Sequence, residues 1–400
     1  MKELFNNRVF QIIMVTDMIQ QLGIWVRNIA VLFFVIEQTN ADPVAISIVS
    51  VVEYLPMFIF AYIGGTLADQ WNPKKTMIWG DYLSAVSIML VLVVVSQGVW
   101  QAVFLVTFMS TVITQFSVPS SVIMFKHFVP GELINAAISL SQGLQSIYLI
   151  VGPILGTLLY TTLGMKFALV LMAGLFVISA TVQFLLPGIN REKSREKMGI
   201  FSEMGEGFSF IRHHWNIKIL IMVMTVFCLG QGLLQPLTVF VLDQRLSLGK
   251  ESLQWFFALA GIGLLIGAGL SAVFSSRLPT RKVLMAGFLA FGSMSIVEVL
   301  STNVILTGSM YFVNGVVAAF VQVAISAPLI KQVDEKMIGR VNGLMTPLLM
   351  AGLLAGSAIS GVAMKMIGLI PLYFTAAAIM VLCSMLVLPY DRRTQERLEM

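Results

Sequence analysis

Residues 65–81 read GTLADQWNPKKTMIWGD. An apolar run ends at a carboxylate, Asp69, the chain turns over Asn72 and Pro73, and Lys74 and Lys75 open a second apolar run that carries Asp81. Working outward, residues 44–68 and 75–96 are each long enough for the roughly 20-residue helix that crosses a bilayer's hydrocarbon core. The quoted stretch is therefore a short charged hinge between two membrane spans. The rest of the 400 residues repeats this alternation: 58% are hydrophobic and 11% charged, whereas soluble domains hold about half and about a quarter. A cytosolic enzyme is excluded, and a membrane β-barrel would show alternating segments of about 10 residues instead.

The same criterion predicts helices at about 9–36, 44–68, 75–96, 99–125, 135–161, 166–187, 217–242, 252–275, 282–301, 304–330, 341–364 and 369–389. The fold class is thus an all-α polytopic membrane protein with twelve spans in two six-helix halves. Placing the N-terminus in the cytoplasm puts twenty of the 25 Lys and Arg inside and Lys166, Arg245, Lys250 and Lys365 outside, as the positive-inside rule requires. The first apolar run contains Asp17 and Arg27 and lacks a small-residue cleavage site, so it reads as a retained helix. Cys228 and Cys383 are lone residues in apolar runs, which predicts neither a disulfide framework nor a metal centre. No basic segment interleaved with aromatics suggests a nucleic-acid partner.

Sliding the chain by 207 residues superposes Leu22-Gly23 on Leu229-Gly230, Phe33 on Phe240, Lys74 on Arg281, Gly80 on Gly287, Gln115 on Gln322 and Asn135 on Asn342. One offset across five helices marks an internal repeat. The expected organisation is a first half at 1–187, a cytoplasmic linker at 188–216 and a second half at 217–400. Parallel repeats place the substrate site between the halves near the membrane midplane. The linker is expected to hold a short amphipathic helix, with His213 and His214 as surface residues.

Charges inside spans are expensive, about 2.5 to 3.5 kcal/mol each at the centre, so Asp17, Arg27 and Glu53 are expected to face the interior. At 100° per residue, Asp17, Gln20, Gln21, Arg27 and Asn28 share one arc of the first helix. The seventh has its own polar stripe of Gln231, Gln235 and Thr238. Together with Gln115 and Gln322, and with Tyr54 on the second helix, these stripes predict a substrate cavity. By depth, Arg27 and Glu53 can pair, either as a fixed structural ion pair or as a proton-controlled one, and Asp17 lies further inward. Glu298 reads as near the outer end of its helix, leaving the second half without a deep carboxylate.

Gly65, Leu67, Asp69 and Lys74 match the cytoplasmic loop signature of the major facilitator superfamily, usually written G-x-L-a-D-r-x-G-r-k, although Asn72 replaces its glycine and Gln70 and Pro73 replace basic residues. Gly152-Pro153-x-x-Gly156 resembles the end of the antiporter signature G-x-x-x-G-P-x-x-G-G, with Tyr148 and Thr157 departing from it. With Glu37, Leu55-Pro56, Pro119, Ser141-Gln142-x-Leu144-Gln145-Ser146, Glu206-Gly207 and Gly339-Arg340-Val341, the whole chain is similar to macrolide-efflux-type drug:proton antiporters. The resemblance implies proton-coupled export of hydrophobic or amphipathic compounds by alternating access. Asp17, Glu53 and Arg27 would then couple protons, and Asp69, Lys74, Lys75 and Asp81 would gate, Asp81 holding Lys74 or Lys75. Gly152, Pro153 and Gly156 would pack helices closely. It implies a monomer in a bacterial cell membrane with both termini cytoplasmic, no cofactor or metal, and no enzymatic activity. A dedicated exporter or flippase of a lipid-like or siderophore-like molecule stands as the alternative, and a transport-inactive sensor as a more distant one.

Overall fold

The computed structural model describes residues 2–68, 71–188, 200–274, 278–333 and 335–390. Among them are fourteen α-helices and no strand. After the short α1 (Lys2–Asn6) come α2 (Arg8–Gln38), α3 (Pro43–Ala68), α4 (Pro73–Ser96), α5 (Val103–Phe128) and α6 (Gly131–Gln183). Then follow α7 (Ile200–His213), α8 (Trp215–Leu234), α9 (Thr238–Gln244), α10 (Leu253–Phe274), α11 (Thr280–Leu300), α12 (Val304–Gln332), α13 (Glu335–Ile367) and α14 (Leu369–Leu386).

Eleven helical stretches among the described residues are long and apolar enough to cross a membrane. One of them, α6, has 53 residues; a straight helix of that length would run about 80 Å, well beyond the ~30 Å core. It breaks at Gly164, whose φ of 74° and ψ of 173° leave the helical region for one that glycine alone occupies cheaply. Two spans result, and the count becomes twelve. The second half turns the same corner at Gly368, φ 84°, between α13 and α14.

Contacts divide the chain into two units, Met1–Ala41 with Leu55–Lys197, and Asp42–Tyr54 with Met198–Met400. The start of α3 thus belongs by contact to the second unit. Gly361 is the reason at the level of packing: a Cβ there would lie 2.4 Å from the Pro43 carbonyl oxygen, so only glycine admits the chain so near. Lys365 then reaches Asp42 at 2.6 Å.

Within each unit the repeat residues do equivalent work. Gly23 on α2 faces Met172 and Phe176 of α6, and Gly230 on α8 faces Ala376, Ile379 and Met380 of α14. Gly80 on α4 meets Ser117 of α5, and Gly287 on α11 meets Val321 of α12. Small residues let helix backbones approach where lipid gives no hydrophobic drive to associate.

The span that begins with α8 is interrupted at Gln235–Leu237, a 3-10 turn containing Pro236. Proline lacks an N–H and frees a carbonyl one turn earlier. Ser357 on α13 donates to the Gly232 carbonyl at 3.2 Å, and Ser360 to that of Leu233 at 2.7 Å. Side-chain hydroxyls thereby satisfy backbone that water cannot reach in a membrane. The expected amphipathic helix of the linker is α7, and residues 189–199 lie outside the described set. Glu206 accepts a hydrogen bond from Arg340 of α13, and Gly207 lets the Arg340 backbone come close, 3.3 Å from a Cβ position to its carbonyl oxygen.

Candidate functional site

In the first unit the polar stripe of α2 faces inward as a network. Ser141 on α6 donates to the Asp17 carboxylate at 3.2 Å. One turn along, the Gln20 amide donates to both oxygens of Asp81 at 3.0 and 2.8 Å, and the Gln183 amide adds a third bond at 2.9 Å. Asp81 is 2% exposed and Gln183 fully buried. Among the described residues no Lys or Arg forms an ion pair with Asp17 or Asp81, so neutral amides and hydroxyls are what hold these acids. Asp17, Gln20 and Gln21 line a small cavity of about 80 Å³ with Thr114, Ser121 and Tyr148.

The expected contact between Asp81 and Lys74 or Lys75 is not formed. Seven residues place Lys74 and Asp81 on one helix face but about 10 Å apart along the axis. Lys74 instead donates to the Phe184 and Leu186 carbonyls, a cation at the end of a helix where free carbonyls gather. Lys75 is exposed, Asn72 caps α4 by accepting from the Lys75 amide at 3.2 Å, and Asp69 lies outside the described residues.

Further along α2, buried Arg27 donates from Nε and one terminal nitrogen to the Asn28 side-chain oxygen at 3.0 and 2.7 Å, and from the other to Ser110 of α5. Asn28 therefore orients Arg27. Gly152 and Gly156 lie against the same helix: a Cβ at Gly152 would fall 2.3 Å from Trp25 Cγ, and one at Gly156 3.0 Å from Ile29. Pro153, between them, is buried within α6.

In the second unit Tyr54 donates its phenol to Gln235 at the 3-10 turn. Gln231, Gln235 and Thr238 line a cavity of about 180 Å³ with Asn314, Glu298 and Tyr311. Glu298 is the correction here. It is near the end of α11 in sequence, yet it faces this cavity and accepts a hydrogen bond from Tyr311 of α12, so the second unit has an interior carboxylate after all. Glu53 sits midway along α3. Gln115 and Gln322 belong to neither lining: the Gln115 backbone packs on Gly64, and the Gln322 carbonyl accepts from Ser326.

Two larger hollows, about 490 and 430 Å³, open at the start of α4 beside Trp71, Lys75 and Trp79. Trp79 is 63% exposed and Trp71 46%; tryptophans and a lysine at a span's end describe an interfacial belt, not an enclosed site. Among the described residues no group of three or more His, Cys, Asp and Glu is placed to hold a metal. His213 and His214 turn their ring nitrogens to the Ser209 and Phe210 carbonyls.

A model of the Major Facilitator Superfamily matches residues 13–346 and 220–399. The chain belongs to the major facilitator superfamily. Facilitator-type relatives include the MFS-type transporter YkuC of Bacillus subtilis, 25% identical over 87% of this chain and 84% of its own length. The multidrug efflux pump Tap of Mycobacterium tuberculosis is 25% identical over 85% of this chain and 83% of its own. Macrolide efflux protein A of Streptococcus pyogenes is 27% identical, over half of each chain. Among solved structures, the nucleoside transporter NupG shares the facilitator fold at a TM-score of 0.74 and 15% identity, covering 96% of this chain and 99% of that one. The protein is a multi-pass membrane transporter with efflux-type relatives, and members of this superfamily are not enzymes.

Proposed function

We propose that the protein is a proton-coupled exporter of hydrophobic or amphipathic compounds, working by alternating access in a bacterial cell membrane as a monomer with both termini cytoplasmic. The observation that carries this reading is Asp17, a carboxyl inside a membrane span that accepts a hydrogen bond from Ser141 and, among the described residues, forms no ion pair with a lysine or arginine. An unneutralised acid at such depth is costly, and taking up a proton removes the charge. Efflux-type relatives supply the direction. Asp17 and Glu53 are the coupling carboxylates, with Arg27 governing the charge of Glu53, and Gln20, Gln21, Asn28, Tyr54, Gln231 and Gln235 supply polar contacts along the route. Asp69, Lys74, Lys75 and Asp81 act at the cytoplasmic gate. Each proton entering down 100 mV carries about 2.3 kcal/mol, enough for a roughly fiftyfold substrate gradient.

The test is a compound panel, including a macrolide and lipophilic dyes, in proteoliposomes with an imposed pH gradient. Substrate-dependent proton flux is expected in the wild type. Asp17→Asn or Glu53→Gln is expected to abolish gradient-driven transport while leaving downhill exchange. Full gradient-driven transport by the double variant would remove this mechanism.

A further inference from the structure

Glu298 is the charged residue in the lining of the second unit's cavity. Its described hydrogen-bond partner is the Tyr311 phenol, and among the described residues no lysine or arginine forms an ion pair with it. The phenol is itself fixed. Phe256 meets the Tyr311 ring edge-on with centroids 5.2 Å apart, and Thr238 lines the same cavity. Glu298 is thus aimed rather than merely enclosed.

The surroundings say what it is aimed at. Phe257, Phe291 and Tyr373 contribute aromatic walls, and Gln231, Gln235 and Asn314 contribute amides. A divalent inorganic cation draws on several carboxylates, whereas Glu298 is the single carboxylate in this lining and, among the described residues, no group of three or more His, Cys, Asp and Glu is placed to hold a metal. An organic ammonium is satisfied by one carboxylate and the faces of aromatic rings. The volume, about 180 Å³, far exceeds the ~10–15 Å³ a water needs and falls short of the ~300–1,000 Å³ of a pocket for a whole drug-sized molecule. It is room for a head group.

We propose that this cavity is the subsite for the ammonium group of a lipophilic cation, with Glu298 as its counter-charge and Tyr311 as the residue that positions the carboxylate. This rests on the reading of the protein as an exporter and names the substrate class it would prefer. The cation contacts the carboxylate and the rings, and its apolar body extends out of the cavity.

The experiment uses the full-length chain in lipid nanodiscs and two probes with one aromatic skeleton, a quaternary ammonium compound and its neutral tert-butyl isostere. A fixed charge removes protonation of the ligand as a variable. The wild type is expected to bind the ammonium probe more tightly than the isostere. Glu298→Gln is expected to weaken the ammonium probe at least about tenfold and to leave the isostere within about twofold, while Glu298→Asp retains most of the preference. Phe257→Leu keeps the carboxylate and removes one aromatic face, so it should weaken the ammonium probe alone by several-fold; it decides the matter if Glu298→Gln does not fold. Equal loss for both probes, or none, overturns the proposal. Export is read separately in proteoliposomes: selective binding without transport supports the subsite and refutes the export reading.

Discussion

Adding one methyl group at Gly152 should cost stability, whereas adding it at Gly174 on the same element should not. The Cβ of Gly152→Ala would stand 2.3 Å from Trp25 Cγ, 2.6 Å from Cδ2 and 2.7 Å from Cδ1. Ordinary carbon contacts are about 3.5–4.0 Å, so the ring must recede by more than about 1 Å. Those three atoms are the root of the indole, and swinging its far edge gives no relief. α2 and α6 must part or Trp25 must leave its rotamer, an overpacking cost of about 1–3 kcal/mol. Gly174, also on α6, has nothing within 4 Å of its Cβ position. Alanine there only restricts the unfolded chain and should stabilise by about 0.4–1 kcal/mol. The assay is apparent melting temperature in one detergent at one scan rate, because unfolding of such proteins is commonly irreversible. Gly152→Ala is expected to lower it and Gly174→Ala to raise it. Trp25→Ala should cancel most of the Gly152→Ala effect, giving a coupling of about 1 kcal/mol or more. Equal shifts for the two glycines, or additive behaviour of the Trp25 and Gly152 changes, would refute the close-contact argument.

Gly164→Ala and Gly368→Ala should each destabilise by about 1–3 kcal/mol through backbone strain alone, since neither Cβ meets a neighbour closer than 4.0 Å; an unchanged melting temperature in both would exclude the positive-φ corners. Lys365 holds the Asp42 carboxyl below its ordinary value, with the Val44 and Ala45 amides assisting. A depressed acid contributes stability above its unfolded-state value and loses it as pH falls through the folded one. Lys365→Ala should therefore lower stability by a few tenths of a kcal/mol at pH 7, the pair being partly exposed, and by less at pH 3; a deficit independent of pH would mean that packing is responsible. With Cys228 and Cys383 replaced by alanine, Ser194→Cys should be shielded from an impermeant thiol reagent added outside intact cells, and ready labelling would reverse the proposed orientation.

Features of the fold that act along one helix were legible in the sequence. The length of apolar runs predicted twelve spans, and the break at 161–166 falls on Gly164 because no single helix of that length fits the bilayer. Glu206-Gly207 and Gly339-Arg340 were visible as separate patterns, but their meeting was not, because sequence spacing carries no lateral distance. The same blindness explains Asp81, whose partners Gln20 and Gln183 come from two other helices. For Glu298, position along the axis suggested the outer surface, yet what stands beside it is Tyr311 from the next helix. Polar stripes on α2 and α8 revealed which faces matter, and not which neighbour would occupy each amide.

The start of α3 has a consequence for how the chain is made. Residues 42–54 emerge from the ribosome early, yet their contacts are with residues such as Gly361 and Lys365, which are translated some three hundred residues later. During that interval the segment waits in the bilayer without its final neighbours. The second unit is complete only when its last helices insert against a piece already in place, so a polypeptide cut between the halves and expressed from residue 200 onward would lack part of its own wall. The two halves therefore cannot be treated as interchangeable cassettes despite their shared repeat, since one of them borrows part of its wall from the other's sequence.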